Sequence, residues 1–127
     1  MQYIAEAKYV RVSTRKMRLI ADAIRPLPVM VALQQLARMP KAGALPLKKV
    51  IDSCVANAHI KNGKGTEVLT FRQIMVGGGP AMKRWHAVSK GTAHAYKKRM
   101  THITVVLSDD MQSSEEKGNH GGKKMIA

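Results

Sequence analysis

Residues 77–107 read GGGPAMKRWHAVSKGTAHAYKKRMTHITVVL, inside a 41-residue window, 68–108, that holds seven Lys or Arg and no Asp or Glu. A surface that needs only to be soluble intersperses both signs, and this one does not. The stretch reads as two arms of an antiparallel ribbon, with 69–76 leading in, 101–107 leading out and Gly91 near the midpoint. Ten residues per arm at about 3.3 Å each carry the tip roughly 30 Å from the root. Between the arms the large apolar residues are only Met82, Trp85, Val88, Tyr96 and Met100. A lone two-stranded ribbon is marginally stable in water, so it needs a surface to lie against, and its charge makes that surface anionic. Residues 85–95 hold few core-type side chains, which predicts a tip separable from the fold.

Composition bounds the remainder. The chain has 127 residues, one domain by length, with a modest core left after the protrusion is set aside. Aromatics make up only 4%, so the core must be built from Leu, Ile, Val, Met and Ala. A net charge of +14 and a pI near 10.4 imply a polyanionic partner, nucleic acid ahead of an acidic membrane. One Cys excludes an internal disulfide. No run of 18 apolar residues occurs, and the first ten residues lack the apolar core of a signal peptide. Residues 8–25 are basic and amphipathic, as a mitochondrial transit peptide is. The acids Glu6 and Asp22 and the segment's fit to the fold argue against that reading, and the expectation is an intracellular protein.

Upstream of the ribbon, residues 3–10 mix Tyr, Ile and Val with Glu and Lys, a short strand. Ser13 offers an N-cap for a helix to about Arg25. Met17, Ile20, Ala21 and Ile24 share one face, with Arg15, Arg18, Asp22 and Arg25 opposite. Those arginines suit a solvated face, but Lys8, Arg11 and Lys16 crowd the same end, so a second phosphate-contacting patch is an equal reading. Pro26 and Pro28 end that helix. Residues 29–39 make a second helix with Met30, Leu33, Leu36 and Ala37 inward, and 41–44 form a linker. The third helix starts near Pro46 and ends at Asn62-Gly63, its stripe being Leu47, Val50, Ile51, Cys54, Val55 and Ala58. Cys54 on that stripe reads as a small buried hydrophobe.

Downstream, Gly77-Gly78-Gly79-Pro80 lacks the Lys-Ser/Thr of a phosphate loop and reads as a bend or bulge that re-aims the ribbon. Residues 103–107 read as a central strand. From Asp109 the composition turns to Asp, Glu, Ser, Gly and Lys, that of a disordered tail. Catalysis finds no footing, because the eight acids are dispersed and none pairs with a His. His86, His94 and His102 recur every eight residues. That spacing along one arm separates neighbours by about 25 Å, so they read as facing phosphate or base edges, and no metal or cofactor is expected. The residues alone give a basic nucleic-acid-binding α+β domain.

Four segments in order carry a resemblance to a known family. They are 15–25 (RKMRLIADAIR), Ala56-Asn57-Ala58, 79–84 (GPAMKR), and Lys98-Arg99 with 101–109 (THITVVLSD). Over residues 2–109 the chain resembles the large-subunit ribosomal protein family twenty-two, in its bacterial or organellar form. The resemblance implies an α+β fold, three helices packed on a small antiparallel sheet with a long protruding β-hairpin. It implies a single domain, 1–110, with the hairpin at about 77–102; the charged tail over 111–127 is read from composition and lies outside the resemblance. The implied function is a structural constituent of the large ribosomal subunit that binds ribosomal RNA, its globular part near the exit of the peptide tunnel and its hairpin tip lining the tunnel. No catalysis, membrane or small-molecule substrate is expected. The implied partners are large-subunit ribosomal RNA and neighbouring ribosomal proteins, in a cytoplasmic ribosome or, alternatively, an organellar one.

Carried over by position, Lys83, Arg84, Lys90, Lys97, Lys98 and Arg99 become hairpin contacts to RNA, and Gly91 the tip turn. Trp85 and His86 have rings of the kind that stack on unpaired bases, the usual way RNA is read. With Lys8, Arg11, Arg15, Lys16, Arg18, Arg25 and His102 they make up the expected RNA-binding set. The chain departs from the family at the tip, where Ala87, Val88, Thr92 and Ala95 replace a Pro-Arg pair and further arginines. It departs also at Gly77-Gly78, usually an acidic pair, and at Pro26-Leu27-Pro28, usually Gly-Lys. Tip contacts are accordingly expected to be fewer and less ionic. The alternative from the residues alone is a free-standing DNA- or RNA-binding regulator, found apart from ribosomes.

Overall fold

A computed structural model describes residues 1–63 and 65–109; the tail expected over 111–127 lies outside the described residues. The chain runs β1 (Gln2–Val10), α1 (Thr14–Ile24), α2 (Val29–Arg38), α3 (Ala44–Asn62), a 3-10 turn (Thr66–Val68), β2 (Thr70–Ala87), a tip turn (Ser89–Gly91) and β3 (Ala93–Ser108). The three strands form one antiparallel sheet in the order β1-β3-β2. This is the α+β architecture expected, three helices on a small sheet with a long β2–β3 hairpin, and the run 103–107 is central as read.

Register decides which face is inside. Tyr3 lies opposite Leu107, which lies opposite Phe71; Ala5 shares a row with Val105 and Ile74, and Ala7 with Ile103 and Val76. Directly opposed residues point to the same side of a sheet, so these rows build one apolar face. The helices cover it. Met17, Ile20, Ala21 and Ile24 of α1 are buried there, as are Leu47, Val50, Ile51, Cys54 and Ala58 of α3, with Val55 packed partly buried beside them. On the other face Ile4, Glu6, Gln73 and Met75 stay exposed around Val106. Cys54 fills a gap in the core. Its thiol donates to the carbonyl of Tyr3 at 3.1 Å, and burial pushes its pKa above the ordinary value.

Two helical expectations need correction. In α2 the buried residues are Val29, Ala32 and Leu36, with Leu33 partly buried, while Met30 and Ala37 face solvent. Five of its first residues are apolar, so periodicity does not set its phase; the packing against α3 does. The helix α3 begins at Ala44, not near Pro46. Proline is tolerated in a first turn, whose N–H groups have no intrahelical partner.

The sheet narrows from three strands to two where β1 ends, with Val10 opposite Thr101 and Thr101 opposite Gly78. Both neighbours of β3 shift register here. Lys8 and Tyr9 of β1 stand against His102, and Gly79 and Pro80 of β2 against Met100, the two-against-one pattern of β-bulges. The glycine run is therefore a bulge, as read. Glycine suits position 79, since a Cβ there would lie 3.2 Å from both His102 Cε1 and the Met100 carbonyl oxygen, tighter than ordinary contact. Thr101, fully buried, holds the root. Its hydroxyl donates to the carbonyl of Val12 and lies 3.4 Å from the Thr14 hydroxyl, tying the β1–α1 connection to the base of the hairpin.

Beyond the root the β2–β3 ribbon continues alone, pairing Ala81 with Arg99 through to Ala87 with Ala93. Met82 and Met100 are half-buried near its base, and every residue from Lys83 to Arg99 is exposed. The core closes without that segment. Replacing residues 85–95 by Asn-Gly, a sequence suited to a two-residue hairpin turn, joins Arg84 to its partner Tyr96. The expected product melts cooperatively with a midpoint close to that of the intact chain. A non-cooperative melt would show that the tip belongs to the core.

Candidate nucleic-acid interface

The expected RNA-binding residues fall into three settings. On the hairpin, Lys83, Arg84, Lys97, Lys98 and Arg99 are exposed, and strand alternation divides them between two faces. Lys83, Trp85, Ala95, Lys97 and Arg99 share one face; Arg84, His86, His94, Tyr96 and Lys98 share the other. Lys90 and Gly91 form the tip, both with left-handed φ, 60° and 68°. Glycine adopts that conformation without penalty and lysine does so rarely. Thr92 steadies the turn by donating its hydroxyl to the Ser89 carbonyl at 2.8 Å.

At the root, Lys8 sits in the β1 bulge, Arg11 in the connection tied to Thr101, and Arg15 and Lys16 in the first turn of α1. All four are exposed. Because Thr101 pins Val12 and Thr14 to the ribbon's base, this basic cluster adjoins the hairpin. The first turn of α1 holds no acid, so the positive end of the helix dipole adds to the field.

The third setting is the outer edge of β2. Arg18 donates to the Val76 carbonyl at 3.3 and 3.4 Å, and Arg25 donates to the Ile74 carbonyl at 2.8 Å. An edge strand exposes unpaired carbonyls, and these two guanidiniums occupy a pair of them. Arg25 also meets Asp22 at 2.9 Å on the exposed side. Both side chains thus have structural partners before any ligand is considered, and each retains N–H groups beyond those bonds.

His102 is half-buried. Its Nδ1 accepts from the Tyr9 backbone N–H at 3.1 Å, and the two rings meet edge to face at 4.9 Å. A neutral His102 therefore carries its proton on Nε2. Tyr9 is 61% exposed with φ 59°. Sequence reading passed over it because it looked like an ordinary strand residue; only the bulge turns it outward beside Lys8. His86 stacks on Tyr96 with centroids 4.0 Å apart and planes 16° apart.

The histidine spacing needs correction. His86 and His94 are on different arms and face each other directly, while only His94 and His102 are separated along one strand. Among the described residues no three His, Cys, Asp or Glu side chains form a group able to hold a metal ion. No helix of the described residues is long and apolar enough to cross a membrane.

Fold and charge together define a class, a small α+β base bearing a long cationic β-hairpin. Residues 5–108 match the model of the family described as Ribosomal protein L22p/L17e, and the chain belongs to that family. It is accordingly a ribosomal protein of the large subunit, from a family of structural proteins and not of enzymes, and its place in the cell is a ribosome.

The two arginine settings are separable by mutation. Arg25→Ala removes a part-buried charged donor from Ile74 and is expected to cost about 1 kcal/mol. Arg15→Ala is expected to stay within about 0.5 kcal/mol of the parent, as surface changes do, while weakening RNA binding. Thermal melts and RNA titrations of both variants check this, and an exchange of the two effects would reverse the assignment.

Proposed function

We propose that this protein binds large-subunit ribosomal RNA through two joined surfaces, the hairpin arms and the basic cluster at their root. The hairpin extends from there to the peptide exit tunnel. One observation carries the reading: a ribbon projecting past the core, exposed on both faces, in a stretch with seven cations and no acid. RNA offers phosphates to the cations and unstacked bases to the aromatic rings, and the ribbon gains the support that a lone hairpin lacks.

The acids lie elsewhere or are engaged. Asp22 faces Arg25, and Asp109 meets the N-terminal amine at 2.7 Å. Neighbouring ribosomal proteins are the second class of partner, and a cytoplasmic ribosome is the compartment this reading favours. Ala87, Val88, Thr92 and Ala95 give the tip no charge of their own, so Lys90 is its one cation and tip contacts are chiefly apolar. The free-standing regulator loses its support, since family membership speaks for a ribosomal protein.

If the hairpin and root neutralise about six to ten phosphates, affinity for the RNA site falls about a thousandfold or more between about 50 and 200 mM monovalent salt. The native protein is expected to co-sediment with large subunits. A nearly flat salt dependence would remove the phosphate contacts and favour a protein partner.

A further inference from the structure

We propose that Trp85, backed by Ala95 and flanked by Lys83 and Lys97, is a platform for a single unpaired nucleobase of an RNA strand. It rests on the RNA-binding reading above and gives one face of the hairpin a defined ligand. The register places Trp85 directly opposite Ala95 and Lys83 directly opposite Lys97, so all four side chains leave the same face of the ribbon. The residue directly opposite offers only a methyl group, no ring pairs with the indole among the described residues, and the indole remains 68% exposed. A recess of about 290 Å³ opens there, lined by Lys83, Trp85, Ala95, Tyr96 and Lys97.

The lysine pair stands two residues from the indole, about 6.6 Å along the strand, within reach of phosphates flanking a base seated on the ring. Charge selects the occupant. An apolar peptide would leave two lysines without counter-charges, and an acidic peptide would leave the indole face bare; a nucleotide satisfies both.

The opposite face of the ribbon is built differently. There His86 stacks on Tyr96, the diagonal neighbour across the strands, so each ring already has a partner on one side. The protein closes one aromatic stack within itself and leaves the other open. Trp85 is thereby the primary base-binding ring of the hairpin and His86 a support for Tyr96.

Trp85 is the only tryptophan in the chain, so its emission reads the site directly. The full chain is titrated with an oligo(A) RNA of about ten nucleotides and with an abasic RNA strand of equal length, a size suited to single-strand binding. Stacking predicts quenched emission with oligo(A) only, and binding about tenfold or more tighter than to the abasic strand. Trp85→Ala and Ala95→Leu, the latter covering the platform, are expected to abolish that preference in an anisotropy assay, bringing oligo(A) binding down to the level of the abasic strand. Trp85→Phe is expected to retain most of it. Because the site is exposed, all three variants are expected to melt like the parent. Equal binding of both strands without quenching would overturn the platform and leave the RNA-binding reading standing. Binding of neither strand would overturn the platform, and would overturn the RNA-binding reading only if the protein also failed to co-sediment with large subunits.

Discussion

The central strand is the constraint on which the rest of the structure depends. Within β3, the run 103–107 pairs with β1 on one side and β2 on the other, and Ile103, Val105 and Leu107 are fully buried. Pairing slipped by one residue would turn those side chains to solvent, because such a shift inverts the faces of a strand. Once this register is set, Tyr3, Ala5 and Ile74 are brought to the same face, and α1 and α3 have one surface to cover. The same strand also forms one arm of the hairpin, so its register fixes which basic residues of the ribbon share a face.

The transition from core to ribbon is managed at Thr101. Two bulges meet there, and the hydroxyl of a buried threonine binds the chain entering α1. This places the first-helix cations beside the hairpin without any ion pair between them. The edge left open on β2 is treated separately, by Arg18 and Arg25 on its carbonyls. A cation on a strand edge also discourages pairing with another chain. Charge in this protein therefore has two physical roles: some of it seals the fold, and six of the 22 Lys and Arg are held out on the ribbon between 83 and 99.

Much of this was legible in the sequence. The stripe of α3 and the face of α1 follow from unbroken helical spacing, and the glycine run with an acid-free window announces the hairpin. The phase of α2 was not legible, because Val29, Met30, Val31, Ala32 and Leu33 leave no polar side to set it. The engagement of Arg18 and Arg25 with β2 depends on tertiary placement that helical periodicity does not encode. Cross-strand neighbours were equally hidden. That His86 faces His94, stacks on Tyr96 and leaves Trp85 open becomes readable only when the register of 16- and 18-residue strands is known. Tyr9 was missed for the same reason, since nothing in the run from Ala7 to Val10 marks a bulge.

On the function proposed above, the core strand is held by the protein and the ribbon by its RNA. Native-state hydrogen exchange resolved by residue tests it most directly, because local opening reports local stability. In the free protein the account predicts slow exchange, near the global limit, for amides within 103–107, and fast exchange for paired amides between 83 and 97. On binding large-subunit ribosomal RNA, the second group should become protected while the first changes little. Ribbon amides as protected as those of β3 in the free protein, and unaltered by RNA, would contradict it.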